Sequence, residues 1–447
     1  LQGNDAKVVG RTNEKNGADR LVNGVEIQTK YYSSGRGCIN ACFDKATEQF
    51  RYFNKDGMPM LIEVPKDKYA EAVNEFRKKI LEGKVAGVSN PNDASKYIKR
   101  GKINMKKIEI TKSNKMIKEY FKILEPQYPY WLNDYINVEE LQKQKYISIT
   151  CGTIYSKLFE SKIFYSNLEH SIAVALIIWH FTHDKKQTLA GLFHDIATPA
   201  FKHCIDFLNG DYMTQESTES LTTEIIKNSE KIMKLLKRDN IEIEEICDYH
   251  IYPIADNDTP KLSADRLEYS LSNALFTYEL CNTEKIKTIY NDIYVGKNEE
   301  EIQELSFKNE DIACEFVKLT SKLSIIYRED KTRYSMQFLA DVIKKLNEEG
   351  KIQREDLYNM KDIDIINIIE KSKYRNIFEI WKKAEKINTS KNKPEKVYYV
   401  HHGAKIRYIN PLVGTRRIRE INENAKNMIE NNLSYDMSNY VFLDFEF

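Results

Sequence analysis

Two histidines and two aspartates in the middle of this 447-residue sequence have side chains that bind divalent metal ions. His194 and Asp195 are adjacent, His170 lies upstream of them, and Asp265 lies downstream. Two imidazole nitrogens and two carboxylates form a borderline-to-hard ligand set that suits Mn, Fe, Zn, Ni, Co or Mg. Such an ion lowers the pKa of its bound water and polarises a phosphoryl group. The sequence therefore predicts one divalent metal ion at a hydrolytic site.

Two predicted helices carry the histidines. The segment 166–169 fits a capping box, which indicates a helix with His170 in its first turn. The residues that follow, up to position 179, are apolar on nearly every face, so we expect this helix to be buried. A second apolar helix, 188–193, ends at the adjacent histidine and aspartate. Because an unpaired buried carboxylate is very costly, a divalent metal is the partner that we expect for this aspartate.

A third predicted helix carries the remaining aspartate. Ser263 can cap this helix, and Asp265 then lies in its first turn. Tyr269, Ser272 and Asn273 follow Asp265 at helical spacing and share one polar face with it. We expect that face to line a cleft.

These residues carry a family resemblance. His170, the pair His194 and Asp195, and then Asp265 reproduce the H…HD…D signature, so the sequence resembles the HD-domain superfamily of phosphohydrolases. Within 166–273 it is similar to the branch that contains deoxynucleoside triphosphate triphosphohydrolases. The resemblance implies a mainly α fold built on an HD-type helical bundle. It also implies hydrolysis of a phosphoester, expected to be that of a nucleotide, by metal-activated water.

Several neighbouring residues depart from that branch. Thr198 stands where the branch has a histidine that assists catalysis. Gln215, followed by Glu216, stands where the branch has a histidine proposed to donate a proton. Asn167 replaces an arginine that holds phosphate. The metal ligands are therefore retained, while most of the residues that handle a triphosphate are replaced.

The resemblance also implies roles for residues around the ligands. Asp206 matches the acid that orients the catalytic histidine, and Arg266 falls where a phosphate-binding lysine is expected. The predicted catalytic residues are Asp195, Asp206, Glu216 and His203. The predicted phosphate-binding residues are Arg266, Tyr269 and Asn273.

Two alternatives to a phosphohydrolase remain open. The missing histidines fit a catalytically weakened HD domain that binds a nucleotide as a sensor. Residues 1–104 contain more basic than acidic side chains, which permits contact with nucleic acid through residues 19–104. The third hypothesis is therefore a nucleic-acid processing enzyme.

Other residues with suitable chemistry are predicted to be structural. His180, His183 and His250 are expected to be solvated or to pack against aromatic rings. Cys38 and Cys42 form a close pair, but one pair is weak evidence for zinc. The arginines of two further segments, 328–333 and 416–419, are expected to face solvent.

The pattern of apolar residues divides the chain into four predicted regions. These are a loose tail (1–18), a small basic α+β module (19–104), an HD-type helical metal-binding domain (105–300) and a helical lobe that ends in a small β-sheet (301–447). Strand signals in the last region lie at 397–400, 406–409 and 441–447. In the second region, 50–53 and 60–64 are expected to form a hairpin.

Composition indicates an ordinary globular protein, with 41% hydrophobic and 30% charged residues and a net charge of +1. The longest wholly apolar run, 172–179, is much shorter than the roughly 20 residues that cross a bilayer. No signal peptide is recognised, so we expect a cytoplasmic protein without membrane contact. The 7 cysteines do not form a disulfide pattern. The expected partner is a phosphorylated small molecule, and the sequence is compatible with a homo-oligomer.

Overall fold

The computed structural model describes residues 6–8, 16–32, 34–101, 105–159, 163–204 and 221–447. The chain divides into two compact units, Leu1–Ile117 and Lys118–Phe447. Most of the predicted loose tail lies outside the described residues. So do three residues of the predicted site region, Asp206, Gln215 and Glu216.

The first unit contains one five-stranded sheet. Its strands, in the order in which they pair, are β1 (Ala6–Val8), β2 (Arg20–Val22), β3 (Val25–Thr29), β4 (Leu61–Val64) and β5 (Ile98–Arg100). The first three strands are antiparallel, whereas β3–β4 and β4–β5 are parallel. Asn23 and Gly24, with φ of 50° and 79°, join β2 to β3, because such a tight hairpin turn needs positive φ at both positions.

Helices connect the parallel strands of this sheet. They are α1 (Gly35–Asn40), α2 (Tyr69–Leu81) and α3 (Ala94–Tyr97), and α4 (Met105–Leu124) continues into the second unit. Ala72, Val73, Phe76 and Ile80 form the buried stripe of α2 at helical spacing. Gly83, with φ of 70°, follows the end of that helix.

The predicted hairpin of 50–53 with 60–64 forms only next to its turn. Phe53 bridges Pro59 in antiparallel fashion and the Met60 N–H donates to the Tyr52 carbonyl at 2.9 Å, but β4 pairs with β3 and β5 instead. The aromatic residues of 50–53 fill the core between the sheet and α2, so their apolar character reflects burial in a loop. Such a run does not distinguish a strand from a buried loop.

The second unit is mainly helical, as predicted. Its helices are α5 (Leu132–Ile136), α6 (Glu139–Gln142), α7 (Asn167–Thr182), α8 (Lys185–Phe193), α9 (Thr222–Asn228), α10 (Glu230–Asp239), α11 (Ala264–Ser272), α12 (Thr283–Asn291), α13 (Glu310–Arg328), α14 (Asp330–Glu348), α15 (Asp362–Glu370), α16 (Arg375–Lys383), α17 (Ile418–Ile421) and α18 (Glu423–Leu433). The α11 helix continues into a π-helical turn, Asn273–Thr277.

Two small sheets accompany these helices. Their strands are β6 (Ile293–Lys297), β7 (Gln303–Phe307), β8 (Asn388–Ser390), β9 (Tyr399–Val400), β10 (Leu412–Val413), β11 (Arg416–Arg417) and β12 (Tyr440–Phe442). One sheet has the order β11-β10-β7-β6 and the other β8-β12-β9. The second sheet is the small C-terminal β element that the sequence predicts, although 406–409 is not a strand.

Three arginines of the two segments that were expected to face solvent are buried instead, whereas Arg416 is exposed and Arg419 is partly exposed as expected. Arg328 and Arg333 are 0% and 1% exposed, and Arg417 is 7% exposed. Arg417 forms ion pairs with Glu299 and Glu304, which offset the cost of burying its guanidinium. These arginines hold the C-terminal segments together.

Candidate metal centre

The N-terminal turn of α7 carries His170. The Ser166 hydroxyl accepts the N–H of Glu169, and the Glu169 carboxylate accepts the N–H of Ser166, so the predicted capping box is present. The His170 residue is 4% exposed and its helix is buried over most of its length. The cap therefore fixes the helix start and with it the direction of the imidazole.

The end of α8 carries His194 and Asp195 against α7. Gly191 permits this close approach, because a Cβ at that position would lie 2.2 Å from the Ile178 Cδ1 atom. The carbonyl of Gly191 also accepts a hydrogen bond from His194 Nδ1 at 2.7 Å. This bond leaves His194 Nε2 directed away from its own helix and towards the α7 histidine, whose ring centroid lies 5.1 Å away.

Asp265 comes from the first turn of α11, which Ser263 caps as predicted. Its Oδ1 atom lies 3.2 Å from His170 Nε2 and 3.7 Å from His194 Nε2. Asp195 Oδ2 lies 3.7 Å and 3.6 Å from the same two nitrogens. Three helices thus bring the four predicted ligands together.

These side chains fit a metal ion. Neighbouring ligands of an ion with bonds of about 2.1 Å lie about 3.0 Å apart in an octahedron, which is close to the observed separations. Among the described residues, His170, His194 and Asp195 form a group whose donor atoms all lie within 4.8 Å of one another, and Asp265 approaches the two histidines of this group. The two nitrogens and two carboxylate oxygens match the borderline-to-hard set that divalent transition metals and Mg accept.

Glu268 is a further residue of this site that the sequence analysis did not single out. Its carboxylate is fully buried and hydrogen-bonds to His170 Nδ1. The other carboxylate oxygen accepts the hydroxyls of Tyr165 at 2.8 Å and Tyr120 at 3.3 Å. A carboxylate on Nδ1 leaves Nε2 to bind a metal and fixes the ring orientation. Its signal in the sequence is its position one helical turn after Asp265.

The charges of the site stabilise ionised carboxylates despite burial. Burial raises the pKa of Asp195, but Lys202 and the two imidazoles together hold it well below its usual range. For Asp265 burial also raises the pKa, and the hydrogen bond and charge of His170 outweigh it. Burial lowers the pKa of His170, whereas Glu268 and Asp265 raise it to about 9. A metal ion that binds His170 therefore takes the place of a proton.

Lys202 is the second residue that the sequence analysis missed. Its Nζ atom lies 2.6 Å from Asp195 Oδ2 and 2.8 Å from Asn167 Oδ1. The Asn167 amide group in turn donates to Gln144 Oε1 at 3.0 Å. Asn167, which the sequence resemblance aligns with an arginine, therefore contacts a lysine from another segment.

The predicted phosphate-binding residues occupy different environments. The Arg266 guanidinium donates to the Lys261 carbonyl at 2.8 Å and to Asn257 Oδ1 at 2.6 Å, and it lies 3.3 Å from Asp256. The donors of Arg266 in these contacts are therefore directed to the loop that precedes α11.

Tyr269 lies on α11 with Asp265, Asn273 begins the π-helical turn that continues this helix, and both residues are partly buried. The Asn273 amide group donates to the Tyr269 carbonyl at 2.9 Å. These two residues remain predicted contacts for substrate.

The predicted proton-transfer residues are only partly described. His203 is partly buried and lies in the turn that follows Lys202. Asp206 and Glu216 fall outside the described residues. Thr198 is 4% exposed, and its carbonyl accepts the Gln144 amide group at 3.2 Å.

The histidines that were predicted to be structural lie outside the ligand cluster. His180 Nδ1 contacts Glu125 at 3.2 Å, and His183 Nδ1 bonds to the Trp179 carbonyl at 2.8 Å. His250 lies nearer to the site: it packs on Tyr249, whose ring centroid is 4.9 Å from that of His194.

The fold and the site together define a mainly helical protein with a cluster of metal-ligating histidine and aspartate side chains. Comparison with known proteins gives one family match, at the start of the chain. Residues 1–81 match the family described as the YeeR C-terminal domain. Over 81 residues the chain is 52% identical to the inner membrane protein YeeR of Escherichia coli (strain K12), which covers 18% of this chain and 16% of YeeR.

A second relative matches over a longer stretch. The chain is 26% identical over 215 residues to the uncharacterized protein YdhJ of Bacillus subtilis (strain 168), which is 47% of this chain and 63% of YdhJ. This chain therefore spans less than two thirds of the length of either relative.

Two solved structures are similar at low identity. A hypothetical protein from Aquifex aeolicus has a TM-score of 0.48 and 17% identity, covering 70% of this chain and 92% of its own. A phosphohydrolase from Bacteroides thetaiotaomicron VPI-5482 has a TM-score of 0.48 and 13% identity, covering 69% of this chain and 94% of its own.

The prediction of a cytoplasmic protein is wrong as it stands. The segment 1–81 matches the C-terminal domain of a protein that is named an inner membrane protein. Within the part of the chain that the structure describes, no helix has both the length and the apolar character needed to cross a membrane. The short apolar run on which the prediction rested does not decide where the protein resides.

Proposed function

We propose that this protein is a metal-dependent phosphohydrolase that cleaves a phosphoester with water, and that α7, α8 and α11 form the centre of an HD-type helical bundle. One observation carries the proposal. The Nε2 atoms of His170 and His194 each lie 3.2–3.7 Å from Asp195 Oδ2 and from Asp265 Oδ1. When bound, a divalent ion would activate a water molecule and withdraw charge from the phosphoryl group.

The residues of the chain have separate tasks in this reaction. The two aspartates supply negative charge to hold the ion, and the two imidazoles supply neutral donors through Nε2. Glu268 keeps His170 in the orientation that exposes Nε2. Tyr269 and Asn273, on the face of α11 that also carries Asp265, position the phosphate.

A nucleotide is the substrate class that we propose. The partly buried ring of Tyr249 lies beside His194 and packs on His250, which is 51% exposed. An aromatic ring next to the reacting centre offers a surface on which a base stacks. A comparison of nucleotides with simple sugar phosphates as substrates tests this part of the proposal, and equal kcat/KM values for both would contradict it.

Metal content and turnover test the reaction class. We expect the purified protein to bind Mn²⁺ and to hydrolyse at least one member of a phosphoester panel supplied with Mn²⁺, Co²⁺, Ni²⁺ or Mg²⁺. Asp195→Ala should abolish both properties, because the variant lacks one of the two carboxylates of the cluster. His180→Ala is the matched control, since His180 lies on the same helix as His170 but pairs with Glu125. Hydrolysis by the Asp195→Ala variant would contradict the proposal.

A nucleotide sensor is the second candidate function, and Thr198 favours it. This buried residue stands where the similar branch has a helper histidine, and its carbonyl is already engaged by Gln144. A sensor should show a higher melting temperature with a nucleotide and Mn²⁺ while releasing no product. Turnover that depends on Asp195 would exclude a role limited to binding.

Nucleic-acid processing is the third candidate. A groove of about 630 Å³ in the first unit is lined in part by Lys30, Lys45 and Arg51. Such basic side chains contact phosphates through charge, and binding should therefore weaken steeply as salt rises. Charge removal at these three residues should lower affinity for a DNA or RNA oligonucleotide. Unchanged affinity would remove this candidate.

A further inference from the structure

Lys202 places an ammonium group beside the ligand cluster. The side chain is 11% exposed, and its Nζ atom contacts Asp195 Oδ2 and Asn167 Oδ1 at 2.6 Å and 2.8 Å. Lysine is seldom so well covered unless it is paired, because burial removes the hydration of a strongly hydrated charge. A buried lysine at this position therefore has either a structural or a ligand-binding role.

The backbone that directs Lys202 is in an unfavourable conformation. Phe201 and Lys202 have φ of 62° and 42°, a region that residues other than glycine seldom adopt. Asp362 Oδ1 accepts the N–H of Phe201 at 2.9 Å, and the Leu357 carbonyl accepts the N–H of Ala200 at 2.9 Å. Contacts from a distant part of the sequence thus hold a turn that sends the lysine towards Asp195. Such conformations cluster at functional sites.

The balance of charge at the site distinguishes a structural role of Lys202 from a ligand-binding role. If Lys202 were only a counter-ion for Asp195, a divalent metal bound to that carboxylate would take over its function. The ammonium would then lie next to a dication of the same sign, which is unfavourable at this short range. A phosphate group restores the balance, because it supplies negative oxygens to both the metal and the ammonium. The geometry therefore favours a site completed by an anion.

Arg266, the cation that the sequence predicts to bind phosphate, has partners elsewhere. The Arg266 contacts are with Lys261, Asn257 and Asp256, whereas the Lys202 ammonium contacts a predicted metal ligand directly. Asn167, which has no charge, takes the position at which an arginine is expected. Its Oδ1 atom accepts a hydrogen bond from Lys202, which carries a positive charge that asparagine does not.

We propose that Lys202 is the residue that binds a phosphoryl oxygen of the substrate, in the place of the arginine that this chain lacks. The proposal rests on the proposed phosphohydrolase function and names a residue that contacts its substrate. It predicts that loss of the Lys202 charge weakens phosphate binding much more than metal binding. If Lys202 had only a structural role, its loss would change phosphate affinity and metal affinity to a similar extent.

The test uses the full chain with inorganic phosphate as the probe. Mn²⁺ affinity is measured first, and phosphate affinity is then measured by calorimetry in saturating Mn²⁺. We expect Lys202→Met to retain Mn²⁺ within about threefold and to weaken phosphate binding at least tenfold, as loss of a charge-assisted hydrogen bond does. Lys202→Arg should recover most of the phosphate affinity. With a phosphoester that the wild type hydrolyses, Lys202→Met should raise KM.

The controls separate folding from binding. Lys382→Met removes another ion-paired lysine, one that contacts Glu370 and Glu379 away from the cluster, and should leave phosphate affinity unchanged. Lys202→Gln retains a donor for Asp195, so it replaces the methionine variant if that variant does not fold. An unchanged phosphate affinity in folded Lys202→Met or Lys202→Gln, or no phosphate binding by the wild type, would overturn the role of Lys202. The proposed function fails separately, when the wild type neither binds metal nor hydrolyses any ester.

Discussion

Each of the two units buries side chains of types that bind metals in other proteins. In the first unit these side chains stay uncharged, whereas in the second unit the carboxylates stay ionised. In the first unit Cys38 and Cys42 are fully buried, and burial raises the pKa of Cys42 to about 12. In the second unit Asp195 and Asp265 are about one-fifth exposed, and their pKa values lie well below the usual range. Lys202 and the imidazoles cause the difference, because they stabilise the negative charge that burial opposes.

This comparison shows how a cluster of candidate metal ligands differs from polar side chains that are only packed in a core. The Cys42 thiol donates to the Cys38 carbonyl at 3.4 Å, so a backbone carbonyl of the preceding helix α1 satisfies it. The ligand cluster instead draws its side chains from three helices and balances their charges across them. Burial alone therefore favours neutral side chains, whereas burial beside opposite charge preserves the ionised ligands that a metal needs.

Asp362 offers the strongest way to sharpen the comparison, because it is a buried carboxylate whose partners among the described residues are backbone N–H groups. It accepts the N–H groups of Ser148 and Phe201 at 2.9 Å each, yet burial outweighs these bonds and raises its pKa to about 6. The unfolded value is about 3.9, so the folded state binds more protons between these two values. Stability should therefore fall as pH rises from about 4 to 6, by up to about 3 kcal/mol for this one group.

Urea unfolding of the metal-free protein between pH 4 and 7 measures this effect. The Asp362→Asn variant should lack the decrease in unfolding free energy that Asp362 causes. The difference in unfolding free energy between wild type and variant should therefore change with pH. Asp364→Asn is the control for loss of an acidic side chain on the same helix. A wild-type-minus-variant difference that stays constant across this range would contradict the argument.

The next largest effect is expected at Glu268, which hydrogen-bonds to Nδ1 of the proposed ligand His170. Glu268→Gln removes a negative charge from the hydrogen bond to His170 Nδ1 while keeping the shape of the side chain. Loss of such an outer carboxylate typically weakens metal affinity by about 10- to 100-fold. Mn²⁺ binding measured by calorimetry at pH 7 should show this loss.

Glu125→Gln is the matched control for Glu268. Glu125 is 5% exposed and contacts His180 Nδ1 at 3.2 Å, so a second buried glutamate pairs with a histidine outside the cluster, although this histidine is 37% exposed. We expect this variant to bind Mn²⁺ with wild-type affinity. Equal losses in both variants would mean that the effect on the metal is only a general loss of stability.

The elements that carry the four proposed ligands could be predicted because each has a local signal. The capping box fixes His170, the apolar helix fixes His194 and Asp195, and the Ser263 cap fixes Asp265. Glu268 follows Asp265 by one turn, so the same helical periodicity indicates it once that helix is recognised.

Lys202 had no such signal. Its direction depends on positive φ at two residues that are not glycine and on Asp362, which is distant along the chain. The sheet of β6, β7, β10 and β11 was missed for a related reason. Its parallel pair joins β7 to β10 across a long stretch of sequence, and four of the five residues of β7 are buried, so no alternation marks it.

The smallest effect on metal binding is expected at Cys42, in the first unit. Zinc binds a thiolate, and a thiol whose pKa is about 12 remains protonated at pH 7. Cys42→Ala should therefore leave the metal content of the protein unchanged, while the lost packing costs about 1 kcal/mol of stability. Elemental analysis and urea unfolding of the variant measure the two quantities separately. A loss of bound zinc from this variant would show that the thiols are ligands after all, and the contrast between the two units would then fail.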